Sequence, residues 1–377
     1  MKVGIDSIRF YTPRYCLDLE HLARMRGIDP QKIKIGLGQE RMSIPSIDED
    51  VVTMALEAAS LLPRQDLDRV DMVLFATETG VDQSKAAGIF VHKLLNLSPY
   101  CRVVELKQAC YSATIGMQLA MTYLRTYPHN RILLISSDIA RYTLNTPAES
   151  SQGAGAVAML LSANPKILEI EKESGFYTED VMDFWRPNYL NEAIVDGRYS
   201  CEVYLKVLKK TWKRYCEVSG RSFEDHDHFC YHVPIPKLAL KAHHYLASLH
   251  NQKAKESIDQ SLSYIKNVGN CYTASLPLAL LSLLENASVK PNDRIAMYSY
   301  GSGCVGEFLS GIVQENYEDG LLPAHHKAFL QNRIFLSFDE YEEFYNSKPT
   351  PHNPVFKTSG FRFTGIDNHK RIYTYCQ

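Results

Sequence analysis

Apolar residues in this chain gather in short uninterrupted runs: Met72 to Ala76, Ile132 to Ile135, Ala156 to Leu161, Phe229 to Tyr231 and Ile295 to Tyr298. Runs of this length, apolar on both faces and separated by helical segments, predict central strands of a helix-covered sheet, so the fold class is α/β. From about Asp48 to Leu62 the residues Val51, Ala55, Ala58 and Leu62 recur on one face. With Ser46 and Asp48 as possible caps and acids in the first turn, this predicts an amphipathic helix lying against the sheet. The stretch VVELKQACYSATIGMQLAMTYL predicts a short strand over Val103, Val104 and Leu106, then a helix too apolar all round to sit on the surface. After about Gly311 the pattern turns polar, with AHHKAFLQNR and EYEEFY, and predicts a C-terminal appendix of helix and strand.

An internal repeat organises these elements. ACYSATIGMQLAMTYLRTYPHNRILLISS (Ala109 to Ser137) runs parallel to NCYTASLPLALLSLLENASVKPNDRIAMYSYG (Asn270 to Gly301). Each copy opens with CY-[ST]-A-[ST], continues into an apolar helix and a proline-containing loop, and reaches a strand beginning at Arg131 or Arg294. Upstream, the strand ending at Glu78 has its counterpart in the strand ending at His232. Two similar α/β halves are predicted, and paired halves place sites between them.

Composition narrows the function classes. The 377 residues are 45% hydrophobic and 22% charged with a formal charge of -2, an ordinary globular balance that points away from nucleic acid or an anionic membrane as main partner. The nine cysteines are odd in number, scattered and never in a CxxC pair, which argues against a disulfide framework and a structural zinc site and fits a reducing cytoplasm. No apolar run approaches the roughly 18 residues needed to span a bilayer, and the N-terminus has no apolar leader, so an unexported soluble protein is expected.

Cys110 then becomes the residue of interest. At a helix N-terminus a thiol pKa can fall from about 8.5 to between about 3.5 and 7.5, which would make Cys110 a thiolate nucleophile; the alternative is a buried small hydrophobe. Glu78 follows a buried strand, where a partly shielded carboxylate can act as a general acid or base, or can be a solvated loop acid. His232, between the same kind of strand end and Pro234, is a structural histidine or the partner of Glu78 across the repeat. Asn270 can orient a carbonyl or cap the second buried helix. The turn GSGCVGEF (Gly301 to Phe308) can bring backbone N–H groups to a substrate oxygen or be a plain tight turn. Lys237 and Lys241 share a helix face and suit phosphates or solvent. The histidines 226, 228, 243 and 244 lack a third ligand at helical spacing, so no metal is expected.

Further motifs carry a family resemblance: GIDSIRFYTP, IGLGQERM, ATETGVDQSKAA, QACYSAT, ARYTLN, QGAGAVAML, YTEDVMDFWRPN, VDGRYS, HVPIPK, VGNCYTASL and YGSGCVGEF. From Gly4 to about Tyr317 the chain resembles the 3-hydroxy-3-methylglutaryl-CoA synthases of the bacterial mevalonate pathway, members of the thiolase superfamily. The resemblance implies a thiolase-like fold with α-β-α-β-α layers and two halves. Residues 1–165 would carry Glu78 and Cys110; residues 166–377 would carry His232 and Asn270, with an appendix from about 318. It implies Cys110 as acyl acceptor, Glu78 as acid–base, and His232 with Asn270 polarising the ketone of acetoacetyl-CoA. Tyr142, Ser302, Lys237 and Lys241 would contact substrate. Acetyl-CoA and acetoacetyl-CoA are the implied substrates, with no cofactor, because a thioester makes the methyl acidic enough for a carboxylate base. A cytoplasmic homodimer follows by family analogy. Cys304 and Cys271 depart from the pattern, standing where relatives carry Ser and, often, an aliphatic residue.

Three rivals stay open. A thiolase or ketoacyl synthase would share Cys110, but the former needs a second cysteine base near the late turn and the latter has no need of Glu78. A β-branching synthase would take acetoacetyl groups from a carrier protein. A non-catalytic acyl-CoA-binding protein on the same fold would not need all three reactive positions filled.

Overall fold

The computed structural model describes residues 1–250 and 257–377. All five apolar runs lie within strands: Met72–Ala76, Ile132–Ile139, Ala154–Ala163, His228–Tyr231 and Arg294–Gly301. In the first half the spatial order is Arg102–Leu106, Met72–Ala76, Ile132–Ile139, Ala154–Ala163 and Val3–Tyr11. The second half follows the same plan with His228–Tyr231, Arg294–Gly301, Val305–Val313 and Leu168–Ile170. The two series join where Gly4 and Ile5 pair with Glu169 and Leu168, giving a 10-stranded sheet from which Gly175–Thr178 branches. Gly4 permits that junction, since a Cβ there would lie 1.9 Å from the carbonyl oxygen of Leu168.

Helices complete the layers. Ser112–Thr126 packs against the strands of the first half. Its other side reaches the second half, where Thr114 Oγ1 meets Ser299 Oγ at 2.8 Å and Gln118 Nε2 donates to Glu307 Oε1 at 2.8 Å. Ser275–Asn286, buried along nearly its whole length, shares this middle layer. Val51–Ser60 and Ala87–Leu94 cover the outer face of the first half, and Gly197–Ser219 and Pro236–Ser248 that of the second. The arrangement is the predicted α-β-α-β-α stack.

Three features depart from the sequence expectations. The helix of the first half runs Val51–Ser60 and is capped by Asp50, whose carboxylate accepts from the N–H groups of Val52 and Thr53. Asp48 instead accepts from Arg362 at 3.0 Å, because the hairpin Gly360–Asp367 and Lys370–Cys376 covers the helix. That helix is therefore buried on both sides rather than amphipathic. Where the first half has Arg102–Leu106 before Cys110, the second has two short helices, Asp259–Leu262 and Ile265–Val268, before Cys271. The latter helix packs against the strand Arg41–Ile44, and Lys266 accepts the N–H of Glu40, so it does not extend the sheet. The C-terminal segment is also no mere appendage: Ile334 and Phe335 pair with Tyr15 and Cys16 of the first half.

Candidate active site

Cys110 sits at the meeting of the halves, two residues before the helix Ser112–Thr126. It is buried beside Tyr142, Ala193 and Tyr272. Its Sγ lies 3.2 Å from Glu78 Oε1. Burial, then the charge and hydrogen bond of Glu78, push the thiol well above its usual pKa. The expected thiolate at a helix N-terminus is thus corrected: the sulfur precedes the helix and faces a carboxylate, so it holds its proton. The mirror cysteine, Cys271, is fully buried with Sγ 3.6 Å from Ser275 Oγ, and burial pushes it up to about 12. Glu78 is what distinguishes the two thiols.

Glu78 follows the strand Met72–Ala76 by two residues. Burial, reinforced by the charge of Asp138, pushes its carboxyl up to about 8 against the Cys110 hydrogen bond and the nearby Arg186. Asp138, buried at the end of the strand Ile132–Ile139, is a residue the sequence reading missed. Its Oδ1 accepts from the Glu78 N–H at 2.9 Å, the Thr79 N–H at 3.0 Å and the Thr77 hydroxyl at 2.7 Å. Its Oδ2 accepts from the Thr273 N–H at 3.0 Å, tying the base loop to the loop after Asn270. Arg186, from the DFWRPN motif, donates to the Glu78 carbonyl. Neither residue stands in a periodic pattern, and only the motif around Arg186 offered a signal.

His232 follows the strand His228–Tyr231 at the matching position, its N–H donating to Tyr298 O at 2.7 Å. The next residue along that neighbouring strand, Ser299, touches Thr114 on the Cys110 helix. Burial pulls the imidazole down to about 3, so it is neutral at ordinary pH. Its Nδ1 is buried with no hydrogen-bond partner among the described residues. A neutral, buried imidazole can offer an N–H to a carbonyl oxygen without carrying charge.

Asn270 is buried, with Oδ1 accepting from the Tyr272 N–H at 2.9 Å and Ser275 Oγ at 3.0 Å. It therefore caps its helical turn while standing by Tyr142, whose ring meets Tyr272 edge-on at 6.3 Å and Phe184 at 6.2 Å. Tyr142 and Ala193 also line a mostly apolar cleft of about 470 Å³, with Pro147, Pro234, Ile235 and Leu238 farther along its walls. Cys110 thus lies under the inner end of the cleft. Lys237 and Lys241 flank Leu238 on the helix Pro236–Ser248 and are exposed. That placement suits an anion at the outer end.

Ser302 lies in the hairpin turn between Arg294–Gly301 and Val305–Val313. The turn rests on the Cys110 loop: Gln108 Nε2 donates to Ser302 O at 3.1 Å, and a Cβ on Gly301 would lie 2.6 Å from Gln108 O. The buried Asp183 accepts the Gly303 N–H at 2.9 Å and the Tyr300 hydroxyl at 2.6 Å, so Gly303 is already committed. Cys304 exchanges backbone hydrogen bonds with Glu179. Of the other histidines weighed as metal ligands, His226 bonds Tyr215 and Ser222, His228 bonds Asp293, His243 bonds Tyr231, and His244 is exposed.

A thiol hydrogen-bonded to a carboxyl with raised pKa, next to the residues that line an apolar cleft, is an arrangement suited to acyl transfer followed by carbon–carbon bond formation, and the neutral imidazole of His232 stands at the matching strand end of the second half. The family model for the N-terminal part of hydroxymethylglutaryl-coenzyme A synthase matches residues 1–166, and that for the C-terminal part matches 168–249 and 241–360. A hydroxymethylglutaryl-CoA synthase of Enterococcus faecalis is 40% identical over 91% of each chain. A polyketide biosynthesis 3-hydroxy-3-methylglutaryl-ACP synthase of Bacillus subtilis, PksG, is 32% identical over 91% of this chain and 87% of its own. A crystal structure of an HMG-CoA synthase complexed with CoA superposes with a TM-score of 0.95 at 40% identity, covering 100% of both chains.

Proposed function

The chain belongs to the hydroxymethylglutaryl-CoA synthase family, and from that premise we propose that Cys110, Glu78 and His232 carry its reaction. The protein is an acyl-transferring condensing enzyme that joins acetyl-CoA, acetoacetyl-CoA and water into 3-hydroxy-3-methylglutaryl-CoA and CoA. Among the described residues no group of His, Cys, Asp and Glu is arranged to hold a metal ion.

The 3.2 Å contact between Cys110 and Glu78 carries the mechanistic reading. Glu78 takes the thiol proton as sulfur attacks the acetyl carbonyl, and returns it to the departing CoA thiolate. Backbone N–H groups near Cys110 and Ser302 hold the oxyanion. Glu78, again a carboxylate, removes a proton from the methyl of the acetyl-S-enzyme. The resulting enolate attacks the ketone carbon of acetoacetyl-CoA, whose oxygen is hydrogen-bonded by the His232 N–H near Asn270 and becomes the hydroxyl by taking up the proton that Glu78 removed. Water then cleaves the remaining thioester to Cys110. Tyr142 borders the acyl group, and Lys237 and Lys241 meet the CoA end.

The greater similarity to the Enterococcus CoA synthase than to the carrier-protein enzyme supports free acetoacetyl-CoA as acceptor and a place in the mevalonate route to isoprenoids. Nine free cysteines support a reducing, cytoplasmic setting. The residues 1–165 and 166–377 act as the two halves of one site. The strand Arg102–Leu106 at the edge of the sheet, with Val104 exposed, supports a homodimer. No helix among the described residues is long and apolar enough to cross a membrane.

Incubation with labelled acetyl-CoA and peptide mapping tests the site. Label on the Cys110 peptide is expected, and label on Cys271 or Cys304 instead would overturn the assignment. Comparing turnover of acetoacetyl-CoA with its carrier-protein form tests the acceptor.

A further inference from the structure

Residues 141–148, which carry Tyr142, have no helix or strand, so side chains must satisfy backbone groups that no ladder satisfies. For Tyr142 they come directly or through Gln152 from one short helix of the C-terminal segment, Phe338–Asn346, nucleated by a capping box between Ser337 and Glu340. Tyr341 and Tyr345, four apart on this helix, face the first half together. Tyr345 Oη donates to the Tyr142 carbonyl at 2.7 Å. On the other flank the Tyr142 N–H donates to Gln152 Oε1 at 2.8 Å, and Gln152 Nε2 donates to Tyr341 Oη at 2.9 Å. Tyr341 in turn donates to the buried Glu149 at 3.0 Å.

The helix itself is fixed. The Arg141 guanidinium lies 3.9 Å from the Tyr345 ring centroid and donates to the Tyr345 carbonyl. Arg26 bridges Glu149 at 2.7 Å and Glu342 at 2.8 Å, binding the helix to the same loop from below. Both peptide groups of Tyr142 are thus held, one directly and one through Gln152, by tyrosines about 200 residues later in the chain.

We propose that Tyr341 and Tyr345 are positioning residues of the acyl site, acting through the backbone of Tyr142 to set its ring beside Cys110. This gives the C-terminal segment a role in catalysis, and it rests on the reading that Tyr142 borders the acyl group. Small displacements at a reacting centre are costly in rate, so losing one hydroxyl 2.7 Å behind Tyr142 has a measurable effect.

The test is a double-mutant cycle on the full chain, with kcat, KM and Tm measured for Tyr345→Phe, Tyr142→Ala and their combination. Tyr345→Phe keeps the ring under Arg141 and is expected to lower kcat/KM about tenfold, mostly in kcat, with Tm within about 3 °C of the parent. In the Tyr142→Ala background it is expected to cost nothing further. Unchanged kcat/KM in Tyr345→Phe, or the same tenfold loss in the Tyr142→Ala background, overturns the proposal. Full activity in Tyr142→Ala overturns the reading beneath it instead. Should Tyr345→Phe fail to fold, Tyr341→Phe runs the same cycle from the other flank, with the same two overturning results.

Discussion

Cys110 Sγ donates a hydrogen bond to Glu78 Oε1 across 3.2 Å, and once Glu78 is ionised the proton between them resides on sulfur. The carboxylate raises the thiol, while the hydrogen bond from the thiol lowers the carboxyl. Removing Glu78 therefore eases ionisation of Cys110 even as it removes the base. Glu78→Ala is expected to retain acetyl labelling of Cys110, at a lower rate because the thiol stays buried and loses its base, and to lose condensation by at least about a hundredfold, the usual scale of a general base. Single-turnover labelling and product formation measured on the same sample check this; normal condensation would sink the role given to Glu78.

The same carboxyl sets the pH dependence. Enolate formation needs Glu78 ionised; its pKa is raised to about 8 in the free enzyme, and acetylation removes the Cys110 hydrogen bond that lowers it. Condensation by the acetylated enzyme is therefore expected to rise with pH on a limb no lower than about 8 and to level off above it. His232, held near 3, stays neutral throughout and adds no limb. Asp138 contributes to the rise, so Asp138→Asn is expected to move the limb to lower pH. A rate profile from preacetylated enzyme, with and without that substitution, reads both effects; a limb that stays put in the variant argues against Asp138.

What the sequence disclosed follows from which interactions are local. Continuous apolar runs made the strands before Glu78 and His232 legible, and the repeat made their equivalence legible. Asp138 was invisible because its meaning comes from Thr77, Glu78 and Thr79 some 60 residues earlier and Thr273 135 later. The burial of Val51–Ser60 on both sides was invisible for the same reason: periodicity reports the face toward the sheet, and the second cover arrives with the C-terminal hairpin. The thiol of Cys110 differs from the expectation because the sequence shows the helix N-terminus and the candidate Glu78, but not that Glu78 stands 3.2 Å from a buried sulfur.

Gly301 offers a test of the turn. An added Cβ would meet Tyr111 Cβ at 2.7 Å and the Tyr111 N–H nitrogen at 2.7 Å as well as Gln108 O, all in the loop that presents Cys110. Gly301→Ala must push the Ser302 turn off that loop. If this turn completes the oxyanion site, the rate of Cys110 acetylation is expected to fall about a hundredfold, the scale of a lost oxyanion donor. A variant that folds and acetylates at the parent rate would show that the turn is only a hairpin.

The C-terminal hairpin is expected to be indispensable to stability. Asp48 is fully buried, and its Oδ2 accepts from Arg362 Nε and from the N–H groups of Phe356 and Lys357. Two residues on, Asp50 caps the helix Val51–Ser60 and also accepts from Arg371 at 2.7 Å. Removing one member of a buried ion pair leaves a charge in low dielectric and costs about 3–5 kcal/mol. The two N–H donors remaining on Asp48 soften this, so Arg362→Met is expected to destabilise by about 3 kcal/mol. Replacing both partners, with Asp48→Asn added, leaves no buried charge and is expected to recover part of the loss. Urea unfolding of the two variants, analysed by shifts in midpoint at constant slope, checks the order. A double variant less stable than Arg362→Met would mean that the carboxylate of Asp48 holds the Phe356–Lys357 turn more strongly than it suffers from burial.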